Sequence, residues 1–103
     1  MMASATTVST LVRTMVGVSI SGRVQGVGYR AWVRRTADAI GVSGWVRNCR
    51  TGEVEAVFSG PAGAVNSMIE ACGEGPAFAR VADVRILGPA EPVTGALTIL
   101  TDR

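Results

Sequence analysis

The sequence predicts an α+β sandwich in which two helices lie on one face of a mainly antiparallel sheet. Two segments show the apolar spacing of amphipathic helices, and the segments around them alternate apolar and polar residues as half-buried strands do. Their order is β-α-β-β-α-β with one additional short strand. With 103 residues, 48% of them hydrophobic and 17% charged, the chain can form one domain around a single core.

The N-terminal part of the chain divides into a tail and a first strand. Residues 1–14 are small and rich in serine and threonine, so we expect a disordered tail ahead of a domain that spans residues 15–103. A transit peptide is the alternative, but the segment is short and its only basic residue is Arg13. A strand with one buried face follows, and its alternating apolar residues are Val16, Val18 and Ile20.

The first helix is predicted from an unbroken apolar stripe. It begins at Tyr29 and ends where Gly41 supplies a stop signal. The residues of the stripe recur with helical spacing, which predicts that this face packs on the sheet. They are Tyr29, Trp32, Val33, Thr36, Ala37 and Ile40.

A hairpin and a second helix follow. Residues 42–48 and 53–58 have strand character and flank the turn sequence NCRTG, which predicts a β-hairpin. Pro61 suits the first turn of the next helix, which we expect to end at Gly73. The apolar stripe of this helix consists of Val65, Met68, Ile69 and Cys72.

Two further strands complete the order. The first covers residues 79–87, with a bulge near Asp83 where the alternation slips, and the second covers residues 96–100. This order is typical of the ferredoxin-like fold, in which the first strand lies inside the sheet. The start of the first helix and the end of the second strand then share one rim, where Arg30 and Asn48 can meet.

A glycine-rich loop joins the first strand to the first helix. Gly22, Gly26 and Gly28 adopt positive φ without steric cost, so main-chain N–H groups of this loop can converge on one oxyanion. The helix N-terminus adds free N–H groups, and Arg30 adds a guanidinium whose shape matches two oxygens of a phosphate or carboxylate. The pattern predicts an anion cradle; from spacing alone, a tight turn beside a solvated Arg30 is an equal alternative.

Composition excludes several chemistries. The sequence contains no histidine, so a Ser-His or Cys-His nucleophile pair and an imidazole zinc site are ruled out. Cys49 and Cys72 lack CxxC spacing and are expected to be free thiols, which favours a cytoplasmic location. A net charge of +2 is too mild to indicate a nucleic-acid partner, and no apolar run reaches the ~20 residues that cross a bilayer.

Two blocks of sequence carry a family resemblance. Residues 22–30 read GRVQGVGYR and residues 44–48 read GWVRN. Together they resemble the paired signature of the acylphosphatase family, and the likeness extends over nearly all of the chain after Met15. Tyr29 stands where phenylalanine is usual in that family, and Thr51 stands where aspartate is common.

The resemblance implies a site and a reaction. Arg30 would bind the phosphoryl group and stabilise the transition state, and Asn48 would orient the attacking water. A main-chain cradle for the phosphate would come from Arg23, Val24, Gln25, Gly26, Val27, Gly28 and Tyr29.

These residues include no general base, protein nucleophile or metal cluster, so the leaving group must depart unaided. A carboxylate does so because its conjugate acid has a pKa of about 4. We therefore expect hydrolysis of small acyl phosphates without a cofactor or metal. Phosphate or sulfate would be a product-like ligand, and the protein would be a monomer with no nucleic-acid or membrane partner.

Two other functions are compatible with parts of the pattern. A non-catalytic anion-binding or regulatory module would use the same cradle, and the fold looks like the leading domain of hydrogenase-maturation carbamoyltransferases. An RNA-binding sheet would need aromatic side chains on its open face. The chain has five aromatic residues in all, and two of them lie on the first predicted helix.

Overall fold

A computed structural model describes residues 13–103. The elements follow in the order β1 (Arg13–Arg23), α1 (Tyr29–Ile40), β2 (Ser43–Asn48), β3 (Val54–Pro61), α2 (Ala62–Glu74), β4 (Arg80–Pro89) and β5 (Thr98–Ile99). They form one sheet of strand order β4-β1-β3-β2-β5. The pairings among β1 to β4 are antiparallel, and β5 lies parallel to β2. The predicted ferredoxin-like fold is confirmed, with β1 inside the sheet.

The core lies between the two helices and one face of the sheet. Val18 and Ile20 of β1 and Phe58 of β3 are fully buried, as the alternation predicts. Val33 of α1 and Met68 of α2 meet them in the same cluster. Burial of a side chain of this size contributes roughly 1.5–3 kcal/mol. The two apolar stripes therefore fix both helices on the sheet, and α1 thereby places its first turn at the sheet's rim.

Several element boundaries differ from prediction. β1 begins at Arg13, which pairs with Pro61 of β3, and the rest of the predicted tail lies outside the described residues. α2 continues through Gly73 and ends at Glu74, because Gly75 has a φ of 68° and donates its N–H to Ala71 O.

The last two strands carry further differences. β4 has the predicted irregularity, since its pairing with β1 shifts between Asp83 and Val81. A second shift lies between Gly88 and Ile86. β5 is limited to Thr98–Ile99, shorter than the five residues expected.

The segment after β5 continues alongside β2. Leu100 donates its N–H to Val46 O at 2.9 Å, and Arg103 donates its N–H to Asn48 O at 2.9 Å. These bonds carry residues 100–103 to the end of β2, where the first turn of α1 also lies. The rim of the domain is thus built from three separate parts of the chain.

Candidate active site

A cavity of about 270 Å³ opens at this rim. The β1–α1 loop, the first turn of α1, the end of β2 and the strand β5 all contribute to its wall. Arg30 and Asn48, which are distant in sequence, both line it. The complete lining is Val24, Gly26, Gly28, Tyr29, Arg30, Ala31, Asn48 and Ile99.

The loop side of the cavity is a turn held open by two glycines. Gly26 and Gly28 have φ angles of 75° and 78°, a region that other residues rarely adopt. A Cβ atom added at either position would meet nothing within 4 Å. Backbone conformation, not crowding, therefore requires glycine at both positions, and the main chain stays open to a ligand.

The helix side of the cavity is the N-terminus of α1. Gly28 caps the helix, and the first helical bond runs from Trp32 N–H to Gly28 O at 3.0 Å. The N–H groups of the three preceding residues have no acceptor inside the helix, as in any first turn. Those three residues, Tyr29 to Ala31, line the cavity. Their N–H groups and the helix dipole favour an anion at this position.

Gln25 fixes the loop to the hairpin turn. Its Nε2 donates to Cys49 O at 2.8 Å and to Glu53 O at 2.9 Å. These two carbonyl groups flank the β2–β3 turn directly after Asn48. The loop and the end of β2 are therefore positioned as one unit, which sets the distance between the cradle and the Asn48 amide.

Asn48 presents a buried amide to the cavity. The residue is 9% exposed, and its Oδ1 has no hydrogen-bond partner among residues 13–103. A buried carbonyl oxygen without a donor is costly, at about 1–3 kcal/mol. Because Asn48 lines the cavity, a water or hydroxyl donor that enters the cavity is the candidate partner for this oxygen.

Arg30 contributes the positive charge of the site. Its side chain is about one-third exposed, and Nη1 lies 2.8 Å from Asp102 Oδ1. Only one of the five guanidinium N–H groups is needed for that contact. The remaining donors are available to an oxyanion.

Tyr29 has a different role in the same turn. Its side chain is buried, and its hydroxyl donates to Cys72 O of α2 at 2.6 Å. Burial raises the pKa of the Tyr29 hydroxyl far above its usual range, and burial also raises the pKa of the Cys72 thiol to about 11. Neither group exchanges protons near neutral pH, so the Tyr29 side chain anchors the first turn of α1 to α2.

A larger cavity of about 510 Å³ lies next to the hairpin turn and shares no lining residue with the smaller one. Both carboxylates in its lining already accept hydrogen bonds from neighbouring side chains. Glu53 accepts from Ser19 Oγ at 2.9 Å, and Glu55 accepts from Arg47 Nη2 at 2.7 Å. Cys49 also lines this cavity, and burial together with the Glu55 charge raises the pKa of its thiol. The thiol therefore has little thiolate character at neutral pH.

The structure assembles part of the predicted residue set. Of the nine positions, six line the cavity: Val24, Gly26, Gly28, Tyr29, Arg30 and Asn48. Arg23, Gln25 and Val27 do not line it, and Gln25 acts instead through the hairpin carbonyls.

Sequence reasoning missed three contributors to the site: Ala31, Ile99 and Asp102. The free N–H groups of a first helical turn could have indicated Ala31.

Within residues 13–103, no three His, Cys, Asp or Glu side chains come together as a metal site would require. No helix in that range has the length and apolar character to span a bilayer.

Comparisons with known proteins agree on one family. Residues 16–94 match the family model described as Acylphosphatase. An acylphosphatase of Rhodospirillum rubrum is 53% identical over 75 residues, which are 73% of this chain and 82% of that protein. One of Rhodopseudomonas palustris is 61% identical over 64 residues, 62% of this chain and 65% of that protein. The structure also resembles the solved acylphosphatase of Coxiella burnetii, with a TM-score of 0.80 and 32% sequence identity. The matched region covers 85% of this chain and 93% of that chain.

Proposed function

Because the chain belongs to the acylphosphatase family, we propose that it hydrolyses the carboxyl-phosphate bond of small acyl phosphates. The products are a carboxylate and inorganic phosphate. Arg30 binds the phosphoryl group, and Asn48 orients the attacking water. The observation that carries this assignment is the convergence on one cavity wall of Arg30 and Asn48, whose buried Oδ1 lacks a partner among residues 13–103.

The phosphoryl oxygens are held by positive charge from two directions. One source is the guanidinium of the Arg30 side chain. The other is the set of free main-chain N–H groups in the loop and the first turn of α1. These donors are fixed before the substrate arrives, since Gln25 clamps the loop and Tyr29 anchors the turn. Preorganised donors of this kind stabilise the charge that develops on the equatorial oxygens during phosphoryl transfer.

Asn48 supplies the position of the nucleophile. A water that donates a hydrogen bond to Asn48 Oδ1 is held by a group that does not titrate, in contrast to a general base. The water oxygen attacks phosphorus while the bond from phosphorus to the carboxyl oxygen breaks. One water proton passes to a phosphoryl oxygen, and the carboxylate leaves without protonation because its conjugate acid has a pKa of about 4.

The experiment is hydrolysis of benzoyl phosphate by the purified protein in EDTA. Arg30→Ala removes the guanidinium and is expected to lower kcat/KM by about 10²- to 10³-fold, the typical cost of losing one donor to a transition-state anion. Arg34→Ala is the matched control, because Arg34 is an exposed arginine one turn further along α1 and does not line the cavity.

Three results would count against the proposal. A folded wild-type protein that binds inorganic phosphate without hydrolysing benzoyl phosphate would favour the non-catalytic module. Equal activity of Arg30→Ala and Arg34→Ala would remove Arg30 from the reaction. A rate abolished by EDTA and restored by zinc or magnesium would require a metal in the mechanism.

A further inference from the structure

Asp102 is the one acidic side chain within residues 13–103 that forms an ion pair with Arg30. We infer that Asp102 is a positioning residue, which holds the Arg30 guanidinium in place for the phosphoryl group. The inference rests on the proposed role of Arg30 in anion binding. It concerns a residue outside both sequence blocks that indicate the site.

The Asp102 segment is tied to the site by its backbone. Leu100 N–H bonds to Val46 O, and Arg103 N–H bonds to Asn48 O, each at 2.9 Å. Asp102 therefore lies one residue from a main-chain bond to the proposed water-orienting residue. A carboxylate fixed so close to its partner pairs with it at a much lower entropic cost than a free anion would.

Asp102 approaches Arg30 from outside the cavity. Asp102 contacts Nη1, and it does not line the cavity that Arg30 lines. The carboxylate thus holds the guanidinium from outside the cavity and does not fill the place of the substrate. Contact with Nη1 alone leaves the Nε and Nη2 donors of Arg30, which form the other bidentate edge of the fork.

The contact with Asp102 also limits the mobility of the Arg30 side chain. A long side chain that is about one-third exposed samples many rotamers unless something restrains it. An oxyanion that binds to a free arginine must first immobilise it, whereas a guanidinium already held by Asp102 has lost much of that freedom. The pair therefore contributes preorganisation, which strengthens phosphate binding even though Asp102 itself is negatively charged.

The test compares Asp102→Ala with Asp102→Asn by calorimetric titration with inorganic phosphate. Both variants remove the negative charge, but asparagine keeps an oxygen that can accept from Nη1. We expect Asp102→Ala to weaken phosphate binding by about two- to fivefold, in line with the small energies of exposed ion pairs. Asp102→Asn should recover most of that loss. The matched control is Asp38→Ala, which removes an exposed aspartate of α1 that forms no ion pair within residues 13–103.

A second readout follows the arginine itself. Guanidinium NMR on ¹⁵N-labelled protein should show faster rotation of the Arg30 Nη groups in Asp102→Ala than in the wild type. A role of Asp102 in general stability would not produce a change confined to Arg30. Because the carboxylate of Asp102 is largely exposed, its removal should leave the fold intact, which circular dichroism checks.

The possible outcomes separate this inference from the proposed function. Tighter phosphate binding in Asp102→Ala would mean that the carboxylate competes with phosphate for Arg30. A phosphate affinity equal to that of Asp38→Ala would mean that Asp102 does not contribute to phosphate binding. Either result overturns the inference. Wild-type protein that binds phosphate but does not hydrolyse benzoyl phosphate contradicts the function and leaves the comparison of variants readable. Wild-type protein that binds no phosphate contradicts both.

Discussion

The two cavities of the domain differ in what their polar groups still lack. The larger one, about 510 Å³, contains carboxylates that already accept hydrogen bonds from Ser19, Thr51 and Arg47. The smaller one, about 270 Å³, is lined by the first turn of α1 with its free N–H groups, by an arginine with spare donors and by Asn48, whose buried oxygen has no partner in the described part of the chain. Volume alone would point to the larger cavity.

Under the proposed function, unsatisfied groups rather than space locate the chemistry of this protein. The carboxylates of the larger cavity gain little from a ligand, because each new contact replaces an existing one. A cavity with fixed but unpaired donors and acceptors binds a complementary ligand without first breaking bonds. The following predictions test that contrast between the two cavities, in order of decreasing effect.

Neighbouring residues of β2 and its turn face different cavities, and this gives the largest expected effect. Asn48 lines the smaller cavity and Cys49 lines the larger. Asn48→Ala should lower kcat for benzoyl phosphate by about 10²- to 10³-fold, since the water loses its orienting group. Cys49→Ala should leave kcat within about twofold of the wild type. A comparable loss in both variants would place the active region at the turn as a whole.

The two ends of α1 offer a second matched pair. Gly28 and Gly41 cap the helix with φ angles of 78° and 92°, and an added Cβ would meet nothing within 4 Å at either position. Alanine at either should therefore destabilise the fold by a similar amount, about 1–2 kcal/mol. Only Gly28→Ala should also lower kcat/KM, by at least about tenfold, because it displaces N–H groups at the smaller cavity.

Urea unfolding and benzoyl phosphate kinetics on both variants measure the two effects separately. If Gly41→Ala loses as much activity as Gly28→Ala at equal stability, the glycines act only on the helix and the cradle has no special role.

Local signals explain why much of this arrangement was predictable. The α1 boundaries were predicted correctly because Gly28 and Gly41 mark both ends of the helix within the sequence itself. The alternation of β1 and β3 likewise identified the buried face of the sheet. Such features depend on residues near in sequence, so a single chain is enough to reveal them.

The remaining features depend on contacts between distant segments. The contact of Arg30 with Asp102 joins residues 72 positions apart. It requires β5, a strand of only two residues, to pair in parallel with β2. The clamp by Gln25 and the burial of Asn48 also depend on how the loop meets the hairpin. Neither spacing nor composition carries that information. The end of α2 is a local exception, since Gly75 rather than the expected Gly73 has the positive φ that ends the helix.

The smallest expected effect concerns pH and the larger cavity. Hydrogen bonds from Thr51 and Ser19 lower the pKa of the Glu53 carboxyl below its ordinary 4.5. A carboxyl whose folded pKa is lowered stabilises the fold above its ordinary pKa, and that stability is lost as pH falls through the folded pKa. Between pH 6 and pH 3, the free energy of unfolding should therefore fall more in the wild type than in Glu53→Gln.

Urea titrations at both pH values check this difference, with activity at pH 7 as the companion measurement. Glu53→Gln should retain near wild-type activity at pH 7, because the carboxylate belongs to the larger cavity. A large loss of activity at pH 7 would connect that cavity to the reaction and weaken the contrast drawn above.

The most direct measurement is a titration of ¹⁵N-labelled protein with inorganic phosphate, followed by amide chemical shifts at constant pH and ionic strength. We expect shifts concentrated at the N–H groups of residues 26–31 and at the side-chain amide of Asn48. Arg50, Thr51 and Arg85 of the larger cavity should change little. Shifts centred on those three residues, with residues 26–31 unmoved, would contradict the assignment of the anion site.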